Sequence, residues 1–210
     1  MIRHVIWDFD GTLFDTYPVM SAAFREALIA LGDADAPAAE DILREMKKTL
    51  DTALRRCVTD RGLSLEAFQA RYAPLRREAE FAHAAPFPAI PPLLRAIRAA
   101  GGENYVFTHR SRTTLPLLDK YDLAADFREI VTAEDGFPRK PSPAAIEYLL
   151  EKYGIARDEA LMVGDRALDI GSGLNAGIHI CLLGDDPEAR AEFRVERLEE
   201  LYGILGIERA

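Results

Sequence analysis

Acids that follow short apolar runs are the residues of this 210-residue chain whose types and spacing suggest chemistry. In His4-Val5-Ile6-Trp7-Asp8-Phe9-Asp10-Gly11-Thr12, a β-branched and aromatic run of the kind that forms a buried strand stops at two aspartates one residue apart. Desolvating such a pair without partners costs several kcal/mol, so a cation belongs beside it, and a metal ion is the most economical one. Further along, Thr108 follows Tyr105-Val106-Phe107, and Asp165 follows Leu161-Met162-Val163-Gly164. Lys140 lies in the loop Gly136-Phe137-Pro138-Arg139-Lys140-Pro141 that leads into a helix. Taken singly, each has an ordinary explanation: an aspartate after a strand caps a turn, a lone lysine is solvated, and threonine is a common strand residue. Taken together, three carboxylates, an amine and a hydroxyl suit phosphoryl transfer around Mg²⁺. That hard cation takes oxygen ligands, relieves the repulsion between Asp8, Asp10 and Asp165, and lets a phosphate approach an anionic nucleophile. Lys140 and Thr108 would bind the remaining phosphate oxygens, and Gly11 lets the backbone come close without a side chain in the way.

These groups converge only if the strands that end in them lie side by side. Residues 17–31 carry Met20, Phe24, Leu28 and Leu31 at helical spacing, closed by Gly32. Residues 41–50 and 51–61 also read as helices. Ser64 caps another, with Leu63 and Phe68 placed to form a hydrophobic staple, and Pro74 is expected to kink or end that helix before residues 76–83 continue. Residues 17–85 are therefore predicted to be an all-helical block, and the proline cluster from Ala85 to Pro92 marks its end. Beyond it, strand-like and helix-like segments alternate: helix 93–100, strand 105–107, helix 113–121, strand 129–132, helix 143–153 with Ser142 as its cap, strand 160–163, helix 167–176, strand 179–183, and a helical tail over 187–205. Such alternation predicts an α/β fold, a Rossmann-like parallel sheet with helices on both faces. The expected organisation is a discontinuous catalytic core, residues 1–16 and 86–210, with residues 17–85 inserted as a helical cap. In such sheets ligands bind outside the carboxyl ends of the strands, where the candidate groups fall.

A net charge of −9 argues against a surface for nucleic acid or anionic membrane, either of which would want a basic face. Cys57 and Cys181 form no metal-ligand pattern and are expected to be free thiols in a reducing cytoplasm. No apolar run approaches the ~18 residues of a membrane span, and the first residues lack a signal peptide's apolar segment. A cytoplasmic protein with a small phosphorylated metabolite as its partner is the expectation; the oligomeric state is not legible.

Asp8-Phe9-Asp10-Gly11-Thr12, Thr108, Lys140-Pro141 and Gly164-Asp165-Arg166-Ala167-Leu168-Asp169 resemble, in order and across most of the chain, the four motifs of the haloacid dehalogenase-like hydrolase superfamily. The helical insertion after the first motif is similar to the helical-cap subfamily of phosphoglycolate phosphatases and β-phosphoglucomutases. The resemblance implies that Asp8 is the nucleophile and forms an aspartyl-phosphate, while Asp10 protonates the leaving alcohol and then activates water. It implies that Thr108 binds the transferring phosphoryl group and that Lys140 stabilises the nucleophile and the developing charge. Mg²⁺ would be held by Asp8, the Asp10 carbonyl and Asp165, with Asp169 either a water-mediated ligand or a partner of Lys140. Asp10 favours phosphoryl chemistry, because the dehalogenases of the superfamily lack that second aspartate. A phosphomutase and a non-catalytic protein that retains the fold are the other readings. His109-Arg110 departs from the pattern after Thr108, and His109 is either a substrate contact or a neutral structural residue. Arg44, Lys47, Lys48, Arg55 and Arg56 concentrate positive charge in the cap, as a solvated helix face or as a selector of anionic substrate. Thr16 and Tyr17 are the expected hinge of a lid that excludes water.

Overall fold

The computed structural model describes residues 1–209. Among them six strands, β1 (His4–Trp7), β2 (Glu103–Phe107), β3 (Phe127–Val131), β4 (Ala160–Gly164), β5 (His179–Leu183) and β6 (Phe193–Val195), form one sheet in the order β3-β2-β1-β4-β5-β6. Every neighbouring pair is parallel. The opening apolar run is thus the middle of the sheet, with Trp7 beside Val106 on one side and Val163 on the other. The chain winds outward from β1 to β3 and then returns to place β4 against β1. That reversal leaves a crevice at the carboxyl ends of β1 and β4, which is where ligands bind in open parallel sheets.

The chain divides into two compact units: Met1–Phe14 with everything from Pro86 onward, and Asp15–Ala85. The insertion starts at Asp15, two residues before the position expected. Phe14 remains with the sheet because its ring stacks on Phe9, with centroids 4.6 Å apart, and its backbone bridges Asp10 and Pro86. The two ends of the insertion meet where Asp15 donates to the Ala85 carbonyl at 3.0 Å. Its helices are α1 (Tyr17–Ala30), α2 (Ala39–Lys48), α3 (Leu50–Cys57) and α4 (Leu65–His83), packed around Phe24, Leu28, Ile42, Phe68 and Tyr72. Ser64 caps α4, its hydroxyl accepting from Ala67 at 3.2 Å. Pro74 does not end α4, which continues through it to His83, so of the two outcomes expected from sequence, a kink or an end, the second does not occur. The carbonyl that loses its donor belongs to Ala70, an exposed residue, so water can satisfy it.

Helices cover both faces of the sheet. Val5, Trp7, Val106, Leu161 and Val163 face α5 (Ile90–Ala99), α6 (Thr114–Lys120) and, past β6, α9 (Leu201–Leu205). Ile6, Tyr105, Phe107, Met162 and Ile180 face α7 (Ala144–Tyr153) and α8 (Ala167–Ala176). The alternation of Val5 and Trp7 with Ile6 is the two-residue period of a strand buried on both sides. Two local readings need correction. The tail is not continuous helix: Phe193–Val195 joins the sheet beside β5, too short a run to carry a strand's periodicity. Pro143 rather than Ser142 holds the N-cap position of α7, although the Ser142 hydroxyl accepts from Ala144 at 3.4 Å.

One buried polar side chain ties this core together. Asn104 in β2 accepts the Trp7 indole N–H at 3.0 Å and donates to the carbonyls of Leu94 at 3.1 Å and Asp126 at 3.3 Å. Asn104→Ala leaves a buried donor and two carbonyls without this partner, so the protein should lose about 3 kcal/mol, read as a lower urea midpoint at unchanged slope.

Candidate functional site

Asp8 extends β1 by one rung, its N–H bonding the Val163 carbonyl at 2.9 Å, before the chain turns sharply. The Phe9 carbonyl accepts from Leu13 and Phe14, both at 3.0 Å, and Gly11 sits at φ 77°, a conformation that a side chain would strain. This turn holds Asp8 and Asp10 at the mouth of the crevice while Phe9 is buried in the core. On the neighbouring strand, Thr108 continues the ladder to Val131 at 2.9 Å, and its hydroxyl accepts the Arg110 N–H at 3.1 Å. An oxygen that already accepts has its proton to donate, which suits a phosphoryl oxygen.

Lys140 is the centre of the site. Its side chain has no solvent exposure, and its ammonium donates to Asp8 Oδ1 at 2.6 Å and to Asp169 Oδ1 at 2.8 Å. It also lies 4.8 Å from the centroid of the Phe107 ring. Asp169 stands in the first turn of α8, where its Oδ2 accepts the Arg166 N–H at 3.1 Å. Gly164 makes room for it, since a Cβ there would lie 2.2 Å from Asp169 Cβ. Asp169 is therefore a direct partner of Lys140. Asp8, Asp165 and Asp169 offer carboxylate oxygens within 4.8 Å of one another, and the Arg166 Nε lies 3.9 Å from Asp165 and 3.8 Å from Asp169.

Electrostatics separate these acids. Burial and then the negative charge of Asp169 push the Asp8 carboxyl up to about 6, against the pull of Lys140 and Arg166. Burial would raise Asp169 too, but Lys140 and Arg166 outweigh it and hold that carboxyl below its ordinary value. Burial opposes the charge on Lys140, yet Asp169 and Asp8 keep its pKa raised, so it stays an ammonium.

The geometry narrows the reading of two candidate residues. His109 does not present Nε2 to a ligand: that atom accepts the backbone N–H of Lys140 at 2.7 Å. Burial, with Lys140, Arg139 and Arg166 nearby, pushes the imidazole down to about 3, so it is neutral and acts as a brace for the lysine loop. The Asp10 side chain does not join the carboxylate cluster. Its Oδ1 accepts from Arg110 Nη1 at 2.7 Å, so any role in holding a metal falls to its main-chain carbonyl. Arg110 was not among the residues expected from sequence; the available signal was a basic residue two positions beyond a strand-end threonine. Arg166, between two of the acids, was also missed.

The residues fit a divalent cation. Asp8 Oδ2 is buried with no hydrogen-bond partner among the described residues, an arrangement that is costly unless something cationic or electrophilic meets that atom. The donors around it are all carboxylate oxygens, which hard cations prefer.

A parallel sheet with such a site at its central strand ends, and a helical unit inserted after its first strand, is an α/β architecture whose acids, lysine and threonine suit phosphoryl transfer. The family model of the haloacid dehalogenase-like hydrolases matches residues 5–183. The chain is 30% identical over 188 residues to the phosphoglycolate phosphatase of Nitrosospira multiformis, covering 85% of this chain and 82% of that protein. It is 29% identical over 189 residues to phosphoglycolate phosphatase 1 of Pseudomonas aeruginosa, covering 86% and 69% respectively. The crystal structure of a HAD-superfamily hydrolase of subfamily IA from Geobacter sulfurreducens superposes with a TM-score of 0.79 at 25% identity, over 98% of this chain and 100% of that one. The chain belongs to the haloacid dehalogenase-like hydrolases.

Two outcomes follow from the packing and charge around Lys140. Gly164→Ala drives a methyl group into Asp169, and should destabilise the protein by about 3 kcal/mol by chemical denaturation. The second concerns pH. Asp8 ionises at about 6 when folded against 3.8 ordinarily, so between those values the folded state holds a proton that the unfolded chain releases, and stability falls as pH rises through that window. With chelator present, Asp8→Asn should gain on the wild type between pH 4 and pH 6, by on the order of 2 kcal/mol in urea unfolding.

Proposed function

We propose that this chain is a Mg²⁺-dependent phosphatase that hydrolyses a small phosphorylated metabolite through an aspartyl-phosphate on Asp8. The observation that carries this reading is the state of that carboxylate: Oδ1 is held by Lys140 at 2.6 Å, while Oδ2 is buried without a hydrogen-bond partner among the described residues. A carboxylate anchored through one oxygen presents the other in a fixed direction, as a nucleophile must. Asp8 and Asp165, with the Asp10 carbonyl, would hold the cation, which would screen the acids and draw phosphoryl oxygens toward them. Asp169 supports the site by charge, keeping Lys140 in place.

In the first half of the reaction the Asp8 carboxylate takes the phosphoryl group and Asp10 protonates the departing alkoxide. In the second, Asp10 removes a proton from the attacking water. Thr108 donates its hydroxyl to a phosphoryl oxygen and the Lys140 ammonium offsets the charge that develops there. The names of the relatives support a substrate of the phosphoglycolate kind, a small anionic ester. The helical unit, inserted directly after the Asp8-x-Asp10 turn, serves in this reading as the cap that selects it. Cys57 and Cys181 are both buried and unpaired, which supports work in a reducing cytoplasm.

A panel of phosphate esters assayed with Mg²⁺ tests this reading, and 2-phosphoglycolate should be among the better substrates. Chelation should abolish phosphate release and added Mg²⁺ should restore it. Asp8→Asn should lower kcat at least about 1,000-fold; full activity in that variant removes the covalent mechanism.

A further inference from the structure

Arg110 has no part in the reaction as described, yet it is more deeply held than most arginines. Its side chain is only 3% exposed, its Nη1 donates to Asp10 Oδ1 at 2.7 Å, and its guanidinium lies 5.2 Å from the Phe9 ring centroid. Its backbone is fixed as well: the N–H donates to Thr108 Oγ1 at 3.1 Å and the carbonyl accepts from Ala133 at 2.8 Å. The pair is asymmetric, because Asp10 is 17% exposed while its partner is buried. A buried guanidinium is tolerated only while a carboxylate holds it, and Asp10 is that carboxylate. Here the arginine is the anchored member and the carboxylate is the one presented. The charged donor that Arg110 points at Oδ1 restricts how the carboxylate can turn, and its planar guanidinium does so more tightly than a flexible ammonium would.

We propose that Arg110 is a positioning residue that fixes the Asp10 carboxyl group for proton transfer; this rests on the phosphatase reading. In the first step an Asp8 oxygen bonds to phosphorus as the ester P–O bond breaks, and the Asp10 carboxyl gives its proton to the leaving alkoxide. In the second, the Asp10 carboxylate takes a proton from water, the water oxygen bonds to phosphorus, and the P–O bond to Asp8 breaks to leave a carboxylate and inorganic phosphate. Both steps need the same group in the same place. The Arg110 backbone also holds the Thr108 hydroxyl, so one loop sets a phosphate contact and the acid/base group together.

p-Nitrophenyl phosphate separates the two steps, because its leaving group departs without a proton while the second step still needs Asp10. Arg110→Met should lower kcat about 100-fold with KM within about threefold of wild type, and should give a burst of one p-nitrophenolate per enzyme as the phosphoenzyme accumulates. Arg110→Lys should recover at least about tenfold of the lost kcat, since one charged donor can still reach Asp10. A rise in KM above about tenfold with weaker inhibition by inorganic phosphate, and no burst, would make Arg110 a phosphate ligand and overturn the proposal. So would a loss in both variants that only tracks the fraction unfolded in urea titrations, or wild-type kinetics in both. If the wild type itself fails to cleave any ester, the phosphatase reading has failed; if it turns over normally and the variants behave as it does, only the role of Arg110 has.

Discussion

An ammonium buried without solvent is tolerable only while carboxylates hold it, and Lys140 has two, Asp8 and Asp169, at 2.6 and 2.8 Å. Much of the site can be understood as what keeps that lysine in place. His109 accepts the lysine's own backbone N–H, and burial together with the cations around it keeps the imidazole neutral. Gly164 gives up a side chain so that Asp169 can come near, and Arg166 brings a second cation to the same acids. The arrangement favours function over stability: the Asp8 carboxyl is less readily ionised than an ordinary one, and one of its oxygens is left buried without a partner among the described residues.

The sheet supplies the rigidity that this requires. β1 is flanked on both sides, so the position of Asp8 is set by two strands, and the parallel order brings the ends of β2 and β4 to the same edge. Both faces are covered by helices, which explains why β1, β2 and β4 run into their carboxyl ends on apolar residues and why the polar residues that follow, Asp8, Thr108 and Asp165, are conspicuous. The chain leaves the sheet immediately after the Phe9–Phe14 stack and returns at Pro86, and the insertion has a core of its own.

Several elements were legible because local physics sufficed. The Met20-Phe24-Leu28 stripe of α1, the Ser64 cap, the glycine at the end of α7 and the short apolar strands all follow from periodicity and backbone preference, which act over a few residues. β6 was hidden because three residues cannot display a period; its pairing with β5 alone defines it. Pro74 does not end α4 because a helix tolerates proline where the freed carbonyl reaches water, and that depends on which face of α4 is exposed.

For the candidate site, the sequence by itself supplied the candidates: Asp8, Asp10, Thr108, Asp165 and Asp169 stand where strands stop or helices start, Lys140 lies in a loop before a helix, and their chemistry is a property of residue type. Tertiary structure alone decided the pairings. That Asp10 faces Arg110, 100 positions away, that Lys140 reaches across 132 positions to Asp8, and that His109 braces the lysine loop all depend on which strands are neighbours. The reason is range. Backbone propensity and patterning act over a turn or two, whereas hydrogen bonds and the desolvation that shifts a pKa depend on distances in space. Those distances exist only once the sheet has brought its strand ends together.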